Sequence, residues 1–338
     1  MLKKIRCLTG DIFFRIEDSF GKYKLNIDRK IVSILMYHGL ETDPGRLVCN
    51  YLDITPESCL KEIRFYQRQG YKLISIDELD CLGDRRYNNN AYLIISFDDG
   101  FLNTFEHIRN WLKDEKIPVM MAICPELVEN NGIFWWDEVR ARFQLMKTNT
   151  IELEIDNGKP YFTKNDMVKF EEKCERLPHN NLLSLLCQLR NKTDYISEDQ
   201  IRDSKYYREI MKWDDINLLA EDNLFSIASH SLAHELAINI PEQELKENSI
   251  KSRQMIKEKT GYDTKYYVYP SGKCSEKTDE VLSQCGFTHT FSTDASTNYL
   301  ESIKIRLNRF RGIGYGSTNL RYYAHKWNKE HKIMSPIS

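Results

Sequence analysis

Three things are scarce in this chain: paired cysteines, blocks of like charge, and long apolar runs. Its nine cysteines (Cys7, Cys49, Cys59, Cys81, Cys124, Cys174, Cys187, Cys274 and Cys285) include no CxxC pair. An odd number at irregular spacing argues for reduced thiols rather than a disulfide framework. Basic and acidic residues number 48 and 50, for a net charge of −2, and no basic tract stands out. Nucleic acid and anionic membrane surfaces therefore have no electrostatic reason to bind. No stretch approaches the roughly 20 apolar residues of a membrane span. The amino terminus begins with positive charge, but Thr9, Gly10, Asp11 and Arg15 break its apolar run short of a signal sequence. A cytoplasmic location is the expectation.

What the chain does have is enough material for one large α/β domain with an insertion. Of its 338 residues, 41% are hydrophobic and 29% charged, so a packed core and a polar surface are both available. Apolar runs at Ser33–Tyr37, Lys72–Ile76, Tyr92–Phe97, Val119–Cys124, Phe225–Ser229, Lys265–Tyr269, Thr288–Thr293 and Ile303–Arg309 read as strands. Helical stretches fall between them, among them Thr104–Glu115, Trp213–Glu221, Pro241–Thr260 and Glu276–Cys285. One opens at Thr55-Pro56-Glu57, with a capping hydroxyl, a proline in the first turn and an acid near the dipole. Repeated βα units with short connections predict a parallel sheet, closed or nearly closed into a barrel.

Residues 125–211 break that rhythm. Thr150–Ile155 alternates, Asn157-Gly158 is a turn signal, and Lys159–Thr163 can pair back as a hairpin. Leucines at 182, 183, 185, 186 and 189 follow on a helical face. The segment reads as a mixed α+β insertion over the rim of a barrel spanning 31–316. An amino-terminal extension (1–30) and a carboxy-terminal helix and tail (317–338) flank the barrel. Trp135 and Trp136 open the insertion and read as packing anchors rather than sugar platforms. Asp137 beside them is within reach of a substrate.

Chemistry concentrates at two strand ends. Ser96-Phe97-Asp98-Asp99-Gly100 closes one strand, and His230-Ser231-Leu232-Ala233-His234 directly follows another. In a parallel sheet both emerge at the carboxy-terminal edge, where such folds place their active sites. Two imidazoles and one carboxylate can hold a divalent metal with positions left open, while a neighbouring carboxylate stays free as a base. Either motif alone is ordinary: Asp and Gly form turns, and with eight histidines some pair falls at this spacing. Together they suggest a metal hydrolase.

These motifs resemble the polysaccharide deacetylases of the NodB-homology class, carbohydrate esterase family 4. The family's T-F-D-D-G appears as Ser96–Gly100, its H-[ST]-x-x-H as His230–His234, and the Y-P-x-G variant of its third motif as Tyr269-Pro270-Ser271-Gly272. Trp213-Asp214-Asp215 is similar to the helix start that precedes the second motif. The resemblance runs from about Ser33 to Arg311 and fits least well over the insertion. It implies a distorted (β/α)7-type barrel.

It also implies roles. Asp99, His230 and His234 would bind the metal, zinc foremost, and Asp98 would take a proton from the attacking water. The Ser271 N–H would stabilise the developing oxyanion, and Tyr269 with Pro270 would shape that substrate-facing turn. The late L-x-H motif that often supplies the acid is missing. Met36-Tyr37-His38 matches an early M-Y-H segment of one branch, which favours His38 over His289 as the acid. Where many members carry an arginine that orients the base, this chain has Val268. Arg309 is the candidate replacement, with Arg306 and Arg311 as competitors.

The expected function is hydrolysis of N-acetyl groups from amino sugars of a polysaccharide or glycoconjugate. The partner is then an N-acetylated glycan, not nucleic acid, with oligomeric state open. Alternatives are an O-acetyl esterase or another non-peptide C–N hydrolase on the same site, a carbohydrate-binding relic without turnover, or an assembly subunit built on the insertion.

Overall fold

Seven parallel strand positions wind into a nearly closed barrel in the computed structural model, which describes residues 29–49, 52–82, 88–155 and 158–312. In chain order the wall consists of β1 (Ile31–Tyr37), β2 (Ala91–Phe97), β3 (Val119–Ile123), β4 (Phe225–Ser229), β5 (Tyr266–Val268), β6 (His289–Phe291), β7 (Arg306–Leu307) and β8 (Phe310–Arg311). Each strand from β1 to β6 pairs in parallel with the next. The last two form one run interrupted by Asn308 and Arg309. β7 pairs with β6, whereas β8 crosses to pair in parallel with β1. That step closes the wall. Short strands at Lys72–Leu73 and Asn298–Tyr299 add to β2 and β1.

Burial on both faces explains the near-continuous apolar composition of β1 and β2, every residue of which is buried. Alternation then sorts the side chains. Val32, Ile34, Tyr92, Ile94, Met120 and Ala122 share the interior cluster with Val268, Phe291 and Leu307. Ile31, Leu35, Leu93, Ile95 and Met121 face the helices, packing with Ile63, Ile108, Leu219 and Ile256. Outer helices begin and end on sequence signals. Thr55 accepts from the Ser58 N–H at the start of Pro56–Arg68, and Gly261, at φ 76°, closes Glu242–Thr260.

Several expectations need correction. The run Lys72–Ile76 is strand only over Lys72–Leu73. Ser75 then accepts from Glu78 N–H while the Glu78 carboxylate receives Ser75 N–H, a capping box that starts a helix at Ile76. The strand expected over Ile303–Arg309 is split by the closing step. The helix expected over Thr104–Glu115 is α-helical only at Phe105–Asn110 before widening into a π-turn at Trp111–Glu115. The flanking extension and carboxy-terminal helix, together with Asn157, lie outside the described residues apart from Arg29 and Lys30.

Between β3 and β4 the chain builds a unit with its own core. Helices Trp135–Leu145, Met167–Cys174 and His179–Lys192 pack with a hairpin, Thr150–Glu152 against Tyr161–Thr163. Phe143, Leu153, Phe170, Leu185, Leu186 and Leu189 are buried together there. Charge is buried too: Arg140 makes a two-pronged contact with Glu171 at 2.8 and 2.9 Å.

Candidate metal and catalytic site

Register brings the site together. Tyr37 pairs with Phe97, Phe97 with Met121, and Ile123 with Ser229, so the residues that follow these strands meet on one rim. Pairing runs one step past the strands. The Asp98 N–H donates to the Tyr37 carbonyl at 2.9 Å, and the His230 N–H to the Ile123 carbonyl at 2.8 Å. There the backbone turns sharply. Asp99 (φ 73°), Ser231 (63°), His234 (68°) and Ser271 (52°) adopt left-handed conformations that cost non-glycine residues energy. Four such residues at one rim are a signature of a site that the surrounding structure holds in place.

Asp99, His230 and His234 converge. Nε2 of His230 and of His234 stand 3.5 and 3.6 Å from the same Asp99 oxygen, Oδ1. One ligand atom from each lies within 4.8 Å of the others. Ligands about 2.1 Å from a tetrahedral ion stand roughly 3.4 Å apart, so these spacings suit a zinc-sized cation. Asp99 Oδ1 is buried and has no hydrogen-bond partner, as expected of an atom kept for a metal. His230 Nδ1 is held by the Val268 carbonyl at 2.8 Å, which turns Nε2 toward the cluster. The donor set fits a divalent ion.

The two imidazoles are pushed in opposite directions. Burial works against charge on both. In His230 the adjacent Asp99 carboxylate and the nearby Asp98 outweigh burial and raise the pKa. In His234 burial and the charge of His230 drive it down to about 3. Burial would raise Asp99, but the close His230 imidazole and the charges of His38 and His234 hold its carboxyl below the usual range.

Asp98 takes no part in the cluster. It continues the inward-facing series Tyr92, Ile94 and Ser96, just as Arg309 continues that of Leu307, so the two meet at the top of the barrel lumen. Arg309 Nη1 and Nη2 donate to Asp98 Oδ1 and Oδ2 at 2.7 and 2.9 Å. Arg309 Nε binds the Ser292 carbonyl at 3.2 Å, and its side chain is fully buried. Burial opposes ionisation of Asp98, but Arg309 and then His230 bring its pKa below the ordinary value. Of the competitors, Arg306 contacts Cys274 and Asp279, and Arg311 lines the cleft.

His38 and His289 are far apart in the fold. His38 follows β1 on the rim and lines a cleft of about 340 Å³ with Asp98, Asp99, His230 and His234. Burial lowers its pKa against the pull of Asp99 and Asp98. His289 opens β6 at the opposite end of the barrel, where Nε2 lies 2.8 Å from Asp80 Oδ1. That position is remote from the cluster.

Ser271 and Gly272 border the same cleft. A Cβ on Gly272 would meet Thr293 Oγ1 at 2.0 Å, so only glycine allows this close approach. Two expectations are corrected here. Tyr269 does not face substrate: its ring is fully buried and its hydroxyl donates to Asp279 Oδ1 at 2.8 Å. Asp137 is likewise out of reach, fully buried against Arg208. Trp135 and Trp136 are half-buried and line the cleft instead of serving purely as core. The Trp136 ring centroid lies 4.5 Å from that of Phe134, stacked, and 4.5 Å from that of His234, edge-on.

The rim also holds residues that sequence inspection missed. Arg208, at the end of the insertion, reaches Asp137 Oδ1 at 3.2 Å and Asp53 Oδ1 at 3.3 Å, and its guanidinium lies 4.0 Å from the Phe101 ring centroid. Burial raises Asp53 to about 6 despite Arg208. Arg140 and Glu171 complete the insertion's share of the wall. Nothing local in the sequence marks these residues, because their partners are distant in the chain.

Comparison with known proteins agrees with this architecture. Residues 180–290 match the family model "Polysaccharide deacetylase", a span that includes His230, His234 and Tyr269–Gly272 but not Asp98 and Asp99. Similar solved structures include IcaB from Ammonifex degensii (TM-score 0.57, 16% identity, covering 89% of this chain and 99% of that one). Deacetylase PplD from Streptococcus pyogenes follows (TM-score 0.57, 12% identity, 88% and 98%). A de-N-acetylase from Aggregatibacter actinomycetemcomitans has a TM-score of 0.54 at 14% identity, over 87% and 99%. No curated protein matches in sequence. The barrel is the fold of these solved deacetylases, and residues 180–290 are similar to the polysaccharide deacetylase family.

Proposed function

We propose that the protein is a metal-dependent deacetylase that removes N-acetyl groups from amino sugars of a glycan or glycoconjugate. Supporting this reading above all is the convergence of both imidazole Nε2 atoms on Asp99 Oδ1, beside an Asp98 that stays out of the cluster. Asp99, His230 and His234 hold the divalent ion, zinc foremost. Bound there, such an ion polarises the amide carbonyl and acidifies water.

The chain's own groups do the rest. Asp98, kept ionised and oriented by Arg309, accepts the proton of the attacking water. The Ser271 N–H is the donor for the oxyanion, on a backbone already turned to φ 52°. His38 lines the same cleft and passes a proton to the departing amine. Trp135 and Trp136 line the cleft with apolar ring surface for the substrate to pack against.

We place the protein in a reducing compartment, the cytoplasm. Cys59, Cys81, Cys124, Cys174, Cys187, Cys274 and Cys285 are free, and no helix among the described residues is long and apolar enough to cross a membrane. Asp99→Ala and His230→Ala are expected to lose bound metal and to lower acetate release by roughly three orders of magnitude or more. Metal analysis alongside an assay on N- and O-acetylated glycans reads both. Full activity and metal content in either variant would reject the proposal, and preference for the O-acetylated substrate would move it to ester hydrolysis.

A further inference from the structure

Two spaces of opposite character adjoin the catalytic cleft. A broad polar groove of about 1080 Å³ shares Ser271, Gly272 and Thr293 with it, and Lys273, Asp294 and Lys304 are among its walls. A second chamber of about 340 Å³ shares Trp135, Trp136, Glu175, His234 and Ser271 with the cleft. Much of its remaining wall is leucine: Leu127, Leu177, Leu182, Leu183, Leu186 and Leu236. It sits where insertion helix His179–Lys192 meets the turn after His234.

An amide carbonyl held between His234 and Ser271 carries two substituents, the sugar nitrogen and the acyl carbon. The hydroxyl-rich sugar suits the open polar groove. The chamber's polar residues Glu126, Arg190, Glu235 and Asn239 are already engaged with Lys251, Glu138, Asn248 and the Leu177 carbonyl, so its leucine surface offers the sugar hydroxyls few partners. A methylene chain is what such walls favour. The methyl of an acetyl group needs little more space than one water, about 30 Å³, roughly a tenth of this chamber.

We propose that the chamber is an acyl pocket, and that the preferred substrates are amino sugars whose N-acyl chain is several methylenes longer than acetyl. This rests on the amide-hydrolysis reading above and extends its substrate class. Water adds across the C–N bond, its hydroxyl to the acyl carbon and a proton to the nitrogen, releasing a fatty carboxylate and the sugar amine. Glu175 lines both spaces, beside the acyl chain in this placement.

Glucosamine oligosaccharides bearing N-acetyl, N-butanoyl, N-hexanoyl or N-octanoyl groups, offered to the zinc-loaded full chain, test the pocket through kcat/KM for amine release. A buried methylene is worth up to about fourfold, so the hexanoyl substrate is expected to exceed the acetyl one by at least about tenfold. Leu183→Trp fills the chamber from a wall position that is 48% exposed, and is expected to lower the hexanoyl-to-acetyl ratio about tenfold. Leu218→Trp, on the outer helix Trp213–Ala220 and 46% exposed, should leave that ratio unchanged. Acetyl turnover that falls on lengthening, or a ratio that Leu183→Trp does not move, overturns the pocket alone. Release of amine from no member of the series overturns the amide-hydrolysis reading with it.

Discussion

Two buried arginines, one in the barrel wall and one at the seam with the insertion, handle charge in different ways. Arg309 pairs with a single carboxylate through two matched hydrogen bonds, and both Asp98 oxygens are satisfied. Arg208 is shared between Asp137 of the insertion and Asp53, which lies between helices Pro44–Cys49 and Pro56–Arg68, with longer contacts, and Asp53 Oδ2 is left without a partner. The first arrangement pushes its aspartate down and keeps a base ionised. The second lets its aspartate rise toward neutrality. A matched pair tunes a reacting group; a shared cation ties two pieces of structure together while leaving one carboxylate close to its titration point.

The largest expected effect comes from removing the base itself. Asp98→Asn keeps the size of the side chain and should retain metal, while kcat falls by about 10²–10⁴. Loss of metal in this variant would place Asp98 in the cluster and erase the distinction between the two aspartates.

Arg309→Met probes the matched pair. It leaves a buried carboxylate uncompensated, so a loss of about 3–5 kcal/mol in unfolding free energy is expected. Because Arg309 lowers the Asp98 pKa, its removal should also move the acid limb of the pH–rate profile upward. In the wild type a depressed carboxylate stabilises the fold above its unfolded pKa, and that contribution is lost as pH falls through the folded value. Adding Asp98→Asn to Arg309→Met should recover stability without activity. An unmoved acid limb in Arg309→Met would break the link between this arginine and the base.

Asp53 should behave with the opposite sign. Its folded pKa, raised to about 6, exceeds the unfolded value, so its ionisation costs stability as pH rises from about 4 to 6, by up to about 3 kcal/mol. Melting curves over that range, wild type minus Asp53→Asn, read this slope directly. A flat difference would show that Arg208 compensates Asp53 as fully as Arg309 does Asp98. The smallest effect belongs outside both arrangements: Ser75→Ala removes one half of the Ser75–Glu78 capping box and should cost about 1 kcal/mol without altering activity.

Much of the rim could be read from local pattern. An apolar strand ending in Asp98-Asp99-Gly100 and another ending at His230 are features of adjacent residues, and parallel βα repeats send both to one edge. Met36-Tyr37-His38 belongs to the same kind of signal. The capping box at Ser75 was legible too, since Ser75-Ile76-Asp77-Glu78 is a helix start, but the apolar run before it invited an extended reading. Arg208, Asp53, Arg140 and Glu171 gave no such mark. Each is an ordinary charged residue until a partner remote in sequence comes within hydrogen-bond reach.

Sequence alone determined the alternation of strands and helices, the rim on which the chemistry falls, and the residue types able to hold a cation there. Those properties follow from side-chain periodicity and from the one-directional order of a parallel sheet, both local. Only the tertiary structure decided that Arg309 rather than a neighbour clasps Asp98, that Tyr269 turns inward while Ser271 stays in the cleft, and that His289 lies at the wrong end. It also decided that a leucine-walled chamber opens beside His234. Such outcomes depend on how the wall closes and how the insertion packs against it, which are set by contacts between residues far apart in the chain.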